Sequence, residues 1–334
     1  MDKEALIQTA RHLVQKGKGI LAADESNSTA DKRLTAVGIE PSEEMRRQYR
    51  ELLLMAPEIE NYISGVILYD ETLGQHNFYG ESFMDVLKRK GIIPGIKVDS
   101  GSVPLAGFPD EEVTEGLDGL AGRMSRYYDL GARFAKWRAV IRIGVDTPTP
   151  DGVRANAHVL ARYARISQEN GLVPVVEPEV LLAGAHSIDR CETVVTEATR
   201  ILFDELRRYR VELQAVILKS SMVLPGDESG VPMDYKEVAW RTVRALKASV
   251  PVDVPGVVFL SGGQTPEQAT SNLNEMAHLE PLPFEIAFSY ARALQGPALE
   301  EWRGKGEKWE SAQQVFVKRI RETIQADLGE YRSL

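Results

Sequence analysis

The chain has 334 residues but only one cysteine, Cys191, so no disulfide can form within it. A single cysteine fits a reducing compartment. The chain also lacks a long hydrophobic run, because apolar stretches such as residues 65–68 and 256–260 fall far short of the ~20 residues that span a bilayer. The first residues, Met-Asp-Lys-Glu-Ala-Leu-Ile, do not resemble a signal peptide. We therefore expect a cytoplasmic protein with no membrane partner.

Basic residues are also fewer than acidic residues. Lys and Arg number 40 against 49 Asp and Glu, which gives a net charge of −9, and no basic block offsets this balance. Proteins that bind nucleic acid rely on basic surfaces, so we expect no nucleic-acid partner. The five histidines are scattered without a H-x-H or H-x-x-x-H pair, and P-loop, G-x-G-x-x-G and G-x-S-x-G motifs are missing. We predict no metal site and no cofactor.

A repeated pattern of a short apolar run, a turn and a longer helical period fills the chain. The candidate strands cover residues 19–24, 64–69, 93–98, 134–141, 173–177, 215–219, 257–261 and 284–289. One helix is predicted to begin near Asp189 as its N-cap. Because no linker interrupts the pattern, we predict a single α/β domain over residues 1–334 with a short C-terminal tail from about residue 325. Eight strands with following helices are typical of a (β/α)₈ TIM barrel. A doubly wound open sheet gives the same local pattern and is the alternative.

Polar side chains recur where the predicted strands end. Lys219 follows Ala215 and Ile217 on one strand face, and Glu177 follows Val175 in the same way. The same placement holds for Asp24, Lys97, Lys136, Arg138, Glu179 and Ser261, and Arg292 follows the last strand. Catalytic groups of barrels gather at the carboxyl ends of the strands, and buried charges are costly unless they pair or function. An ordinary solvated charge explains any one of these residues equally well, but the repetition favours one shared site.

The lysines among these residues point to carbonyl chemistry. A lysine that attacks a carbonyl must first lose its proton, and burial and a nearby cation both favour the neutral amine. Lys219 and Lys136 both follow apolar runs and could face each other across a barrel mouth. We hypothesise that Lys219 is a Schiff-base nucleophile. The alternative is a set of structural ion pairs, Lys219 with Glu177 and both Lys136 and Arg138 with Glu179.

The predicted mouth is also rich in cations. The selected residues include three acids, Asp24, Glu177 and Glu179. The cations are more numerous, and they are Lys32, Arg33, Lys97, Lys136, Arg138, Lys219 and Arg292. Such a surplus suits an anionic substrate. The turn Ser261-Gly262-Gly263 follows the seventh predicted strand, where barrels often bind phosphate through backbone N–H groups.

At these residues the sequence resembles the class I fructose-bisphosphate aldolase family over nearly its whole length. The resemblance rests on several long motifs in family order. They are GKGILAADES ending at Ser26, GVILYDETL from Gly65, GIKVDSGSVPLAG from Gly95, FAKWRAV from Phe134, NAHVLARYARISQENGLVPVVEPEVL from Asn156, LKSSMVLPG from Leu218, FLSGGQTPEQATSNLN from Phe259 and FSYARALQGPAL from Phe288.

The resemblance implies the barrel fold, a homotetramer and reversible, metal-independent aldol cleavage in glycolysis or gluconeogenesis. Fructose 1,6-bisphosphate would give dihydroxyacetone phosphate and glyceraldehyde 3-phosphate. Lys219 matches the Schiff-base lysine, Glu177 the acid/base of imine formation and Asp24 the group that takes the C4 hydroxyl proton. Lys136 matches a lysine that favours the neutral nucleophile, and Glu179 matches a supporting carboxylate.

The resemblance also implies the phosphate contacts. Ser261, Gly262 and Arg292 match the site for the C1 phosphate, and Lys97 and Arg138 match cationic substrate contacts. The segment near the C6 phosphate is matched by Ser26, Thr29, Lys32 and Arg33.

Two features depart from the family pattern. Ser220 and Ser221 follow Lys219 where familiar members have Pro-Asn. The chain ends in Tyr331-Arg332-Ser333-Leu334 rather than in the long tail with a terminal tyrosine, which leaves open how the enamine is protonated and whether fructose 1-phosphate is preferred. A scaffold that only keeps the fold and a Schiff-base enzyme for another phosphosugar are the competing functions.

Overall fold

The computed structural model describes residues 2–332, so the last two residues of the expected tail lie outside the described part. The strands are β1 (Gly19–Ala23), β2 (Ile63–Leu68), β3 (Ile93–Lys97), β4 (Ser102–Pro104), β5 (Glu112–Thr114), β6 (Phe134–Ile141), β7 (Val173–Val180), β8 (Ile217–Ser220), β9 (Gly256–Phe259) and β10 (Glu285–Tyr290). The helices are α1 (Lys3–Leu13), α2 (Asn27–Ala36), α3 (Glu43–Leu54), α4 (Asp70–Leu73), α5 (Phe83–Arg89), α6 (Leu120–Asp129), α7 (Pro150–Glu169), α8 (Ile188–Arg208), α9 (Tyr235–Ser249), α10 (Pro266–Ala277), α11 (Arg292–Trp302) and α12 (Trp309–Asp327).

Eight of the strands form a closed parallel barrel in the order β1-β10-β9-β8-β7-β6-β3-β2. The β1–β10 pairing, with Ile20 opposite Ser289, closes the ring. This closure confirms the predicted TIM barrel and excludes the open sheet. Each predicted strand is present with small differences at its ends. The antiparallel β4–β5 pair was not predicted, because strands of three residues are too short to show a clear apolar alternation.

Apolar side chains fill the lower part of the barrel. Ile20, Ala22, Val175, Ile217 and their neighbours on other strands form one buried cluster with α1, which packs at the amino ends of the strands. Because side chains alternate between strand faces, the next inward positions belong to the polar residues at the carboxyl ends. The opposite faces of the strands pack against the surrounding helices in the larger core.

One helix begins at a different cap from the one expected. The start of α8 is capped by Ser187, whose side chain accepts a hydrogen bond from the N–H of Arg190 at 3.2 Å. The prediction of Asp189 as the N-cap was wrong, because its carboxylate instead pairs with Arg241 at 2.5 Å. The last helix extends to Asp327, which is buried. None of the helices between residues 2 and 332 combines the length and hydropathy needed to cross a membrane.

Candidate active site

A cavity of about 840 Å³ opens at the carboxyl ends of the barrel strands. Every residue that the sequence analysis assigned to a site lines it. These residues are Asp24, Ser26, Thr29, Lys32, Arg33, Lys97, Lys136, Arg138, Glu177, Glu179, Lys219, Ser261, Gly262 and Arg292. Barrel closure brings them together from stretches of the chain that are far apart in sequence.

Four ionisable side chains form a continuous chain at the base of this cavity. Lys136 Nζ lies 2.9 Å from Asp24 Oδ2 and 2.9 Å from Glu177 Oε2. The other oxygen of Glu177, Oε1, lies 3.2 Å from Lys219 Nζ. All four residues are buried, and Lys219 is only 4% exposed. Two lysines and two carboxylates therefore share one buried space.

The lysines keep both carboxylates ionised. Burial alone would raise the pKa of Asp24, but Lys136 and Lys219 together hold it well below its usual range. The pKa of Glu177 is also lowered, since Lys136, Lys219 and Arg138 outweigh the effect of burial. Burial would lower the pKa of Lys136, but the carboxylates around it, chiefly Asp24 and Glu177, raise it overall. At neutral pH Lys136 is thus charged, and it lies beside two carboxylates that are ionised when no substrate is bound.

The observed ion pairs differ in one respect from those of the alternative hypothesis, in which the lysines form only structural ion pairs. Arg138 pairs with Glu179, as that alternative expected, and Lys219 contacts Glu177. Lys136, however, contacts Asp24 and Glu177 instead of Glu179. Its partner Asp24 comes from β1 on another side of the ring, which local spacing cannot reveal.

Asp99 is a site residue that the sequence analysis missed. It follows β3 and lines the cavity, where its Oδ1 lies 2.5 Å from Lys97 Nζ. Its Oδ2 accepts a hydrogen bond from the backbone N–H of Arg138 at 3.2 Å. Asp99 therefore holds two of the predicted cationic contacts. Its position two residues after Lys97, on the same strand face, was the available signal.

The turn after β9 and the start of α11 form one cationic corner of the cavity. Gly262 and Gly263 adopt positive φ angles of 51° and 96°, which favour glycine. A Cβ atom on Gly263 would lie 3.9 Å from Arg292 Nη2, so this guanidinium reaches the turn. Within residues 2–332, Arg292 makes no ion pair, and its charge is available for an anion.

A second polar segment runs from Ser26 into α2. Ser26 Oγ lies 3.1 Å from Thr29 Oγ1, and Lys32 has no carboxylate partner in the described part of the chain. Arg33, in contrast, is paired with the buried Glu25, which also lies 2.7 Å from Arg50. Glu25 was not predicted as a site residue, although it follows Asp24 directly. Lys32 is consequently the free positive charge of this segment.

One further hydroxyl was overlooked. Ser289 lies near the end of β10, is 1% exposed and lines the cavity. Its Oγ has no hydrogen-bond partner among the described residues.

Within residues 2–332, no group of three or more His, Cys, Asp or Glu side chains is arranged to hold a metal ion.

The fold and this cavity define a TIM-barrel enzyme with a buried lysine and carboxylate centre and cationic corners. The chain belongs to the class I fructose-bisphosphate aldolase family, whose sequence profile matches residues 5–334. It is 52% identical over 333 residues to a probable fructose-bisphosphate aldolase class 1 of Xanthomonas axonopodis pv. citri, covering 99% of this chain and 100% of that protein. It is 48% identical to cytosolic fructose-bisphosphate aldolase 4 of Arabidopsis thaliana, over 98% of this chain and 84% of that one.

A solved structure agrees with these sequence relatives. The fructose-bisphosphate aldolase of Plasmodium falciparum, crystallised with TRAP and a small-molecule inhibitor, superposes with a TM-score of 0.97 at 44% identity. The match covers 99% of this chain and 96% of that chain. The protein is therefore an aldolase, a carbon–carbon lyase with a phosphosugar substrate. Membership in this family supports the assignment of aldol cleavage in glycolysis.

Proposed function

We propose that Lys219 is the nucleophile of a metal-independent Schiff-base aldolase that cleaves fructose 1,6-bisphosphate reversibly. The products are dihydroxyacetone phosphate and glyceraldehyde 3-phosphate. The observation that carries the proposal is a buried lysine nitrogen at the cavity base, 3.2 Å from the carboxylate of Glu177. An amine in hydrogen-bond contact with an ionised carboxylate has a built-in acceptor for its proton.

In the first half of the reaction Glu177 moves protons at Lys219. The ionised carboxylate takes a proton from the lysine, and the free amine attacks the C2 carbonyl. The N–C bond forms as the C=O π bond opens, and one proton moves from the nitrogen to the oxygen, which gives a carbinolamine with a C2 hydroxyl. Glu177 then returns the proton to the C2 hydroxyl, which leaves as water and yields the protonated imine. The lysine therefore needs no free base from solvent, and the same carboxylate acts in both directions.

In the second half the protonated imine accepts the electrons of the C3–C4 bond. Asp24, held as a carboxylate, takes the proton of the C4 hydroxyl while the bond breaks and the aldehyde leaves. Protonation of the enamine at C3 and hydrolysis of the imine then release the ketose product and restore Lys219. Lys136 supplies a fixed positive charge between Asp24 and Glu177 throughout these steps.

The two cationic regions are proposed to hold the two phosphates. Ser261, Gly262 and Arg292 would take the C1 phosphate through backbone N–H groups and a guanidinium. Lys32, with Ser26, Thr29 and Arg33, would take the C6 phosphate. The remaining substrate contacts are assigned to Lys97 and Arg138, which are held in place by Asp99 and Glu179.

A trapping experiment tests the proposal. The protein is incubated with dihydroxyacetone phosphate, reduced with borohydride and digested for mass spectrometry. We expect one covalent adduct, on Lys219, with irreversible loss of activity. Lys219→Met should keep the fold and lose both cleavage and labelling, whereas Lys247→Met, at an exposed position of α9, should change neither. Absence of an adduct at Lys219 in the wild-type protein would refute the Schiff-base route.

We also propose that the chain forms a homotetramer in the cytoplasm, as the family resemblance implies. Large apolar side chains such as Val231, Trp240 and Val252 are 51–73% exposed, which is surface that subunit contacts could cover. Two plant relatives are named as cytosolic enzymes. Sedimentation should give four times the 37.1 kDa chain mass. A monomer mass at micromolar concentration would contradict the assembly.

A further inference from the structure

The two strands that carry Glu177 and Lys219 stop pairing just before these residues. Between β7 and β8 the paired positions are Val175 with Ile217 and Val176 with Leu218. On their outer sides the strands stay paired further along, β7 with β6 as far as Val180 and β8 with β9 as far as Ser220. The contact between Glu177 and Lys219 therefore lies where the backbone ladder no longer fixes the distance between their strands.

A side chain reconnects the strands beyond this point. Ser221, the residue after β8, is 4% exposed. Its Oγ donates a hydrogen bond to the carbonyl of Val180 at 2.9 Å and accepts one from the N–H of Val180 at 3.0 Å. A hydroxyl can make both bonds at once because it has one donor and two acceptor positions. Ser221 thus imitates the backbone pair that the ladder lacks.

We infer that Ser221 is a positioning residue that sets the separation of Glu177 Oε1 and Lys219 Nζ. This role rests on the proposed function of the two residues. They are bracketed by the last ladder pair on one side and by the Ser221–Val180 bridge on the other. Their 3.2 Å contact is at the long end of hydrogen-bond distances, so a small divergence of the strands would break it.

The adjacent serine provides a matched control. Ser220 is also buried, at 2% exposure, but its Oγ donates to the carbonyl of Ser221 within the same chain segment at 2.9 Å. Replacing Ser220 by alanine therefore removes a buried hydroxyl of the same size without removing a link between β7 and β8. Ser221→Thr keeps the bridging hydroxyl, and a small cavity borders Ser221.

The experiment compares wild type, Ser221→Ala, Ser220→Ala and Ser221→Thr. The rate of borohydride-trapped adduct formation with dihydroxyacetone phosphate is measured together with kcat and KM for fructose 1,6-bisphosphate. For Ser221→Ala we expect trapping rate and kcat to fall about tenfold to a hundredfold, since small displacements at reacting groups have effects of this size. KM should stay within about twofold, because the phosphate-binding residues are untouched. Ser220→Ala should behave like wild type, and Ser221→Thr should recover most of the rate.

The outcomes separate this inference from the proposed function. If wild type forms no adduct, the Schiff-base function fails and the role of Ser221 fails with it. If wild type is labelled and Ser221→Ala is labelled at the same rate, only the positioning role is overturned. A raised KM with unchanged kcat would likewise overturn it. Should Ser221→Ala unfold by circular dichroism, Ser221→Cys, with weaker hydrogen bonds, replaces it, and a wild-type rate in that variant overturns the role.

Discussion

Replacing Asp327 by asparagine should stabilise the protein at neutral and alkaline pH more than in acid. Asp327 ends α12 near the amino ends of the barrel strands, and its side chain is fully buried. Oδ2 accepts a hydrogen bond from the N–H of Gly17 at 3.0 Å, while Oδ1 has no partner among the described residues. Burial raises the pKa of Asp327 to about 6, although Lys16 and the bond from Gly17 oppose the shift.

The sign and the size of the effect follow from proton linkage. Between about pH 4 and pH 6 the folded protein keeps a proton on Asp327 that the unfolded chain has lost. Stability therefore falls as pH rises through this window, and the loss persists at higher pH. A shift from 3.8 to about 6 corresponds to about 3 kcal/mol at 1.36 kcal/mol per pKa unit. Asparagine keeps the acceptor for Gly17 but is neutral at every pH.

Urea unfolding followed by circular dichroism measures this difference. Asp327→Asn should gain about 1 kcal/mol over wild type at pH 4.5 and about 3 kcal/mol at pH 8. Glu330→Gln, which neutralises an exposed carboxylate three residues further on, serves as the control and should change little at either pH. A gain that is equal at both pH values, or a loss at pH 8, would show that the buried charge is not the cause.

Three further predictions concern the site and the single cysteine. Arg292→Ala should raise KM for fructose 1,6-bisphosphate about tenfold to a hundredfold with a smaller change in kcat, because a charge-assisted hydrogen bond is worth roughly 1.5–3 kcal/mol. Steady-state kinetics measures both constants, with Lys247→Ala as the control. An equal rise in KM in the control variant would contradict the prediction. Activity should survive dialysis against EDTA, and activity that disappears and returns with zinc would contradict the imine route. Cys191 is 3% exposed, and burial raises the pKa of its thiol to about 11. A thiol reagent at pH 8 should therefore react slowly with the folded protein and rapidly with the protein unfolded in urea. Fast labelling of the native state would contradict the burial of this thiol.

Local sequence determined which side chains point into the barrel. The period of two along a strand places Lys219 on the face of Ala215 and Ile217, and Glu177 on the face of Val175. Those apolar residues are in the inner cluster, and the polar ones line the cavity above it. The length of the family motifs also identified the fold class and the enzyme family, because a long ordered set of matches does not depend on knowing any contact.

Only tertiary structure decided which groups meet. Lys136 contacts Asp24 because barrel closure brings β1 within reach of β6, and a pairing between such distant segments leaves no local signal. The Ser221–Val180 bridge and the burial of Asp327 depend in the same way on strand register and on how α12 packs. Sequence periodicity sets the direction of a side chain, whereas its partner, its distance and its pKa depend on segments that approach only when the whole chain folds.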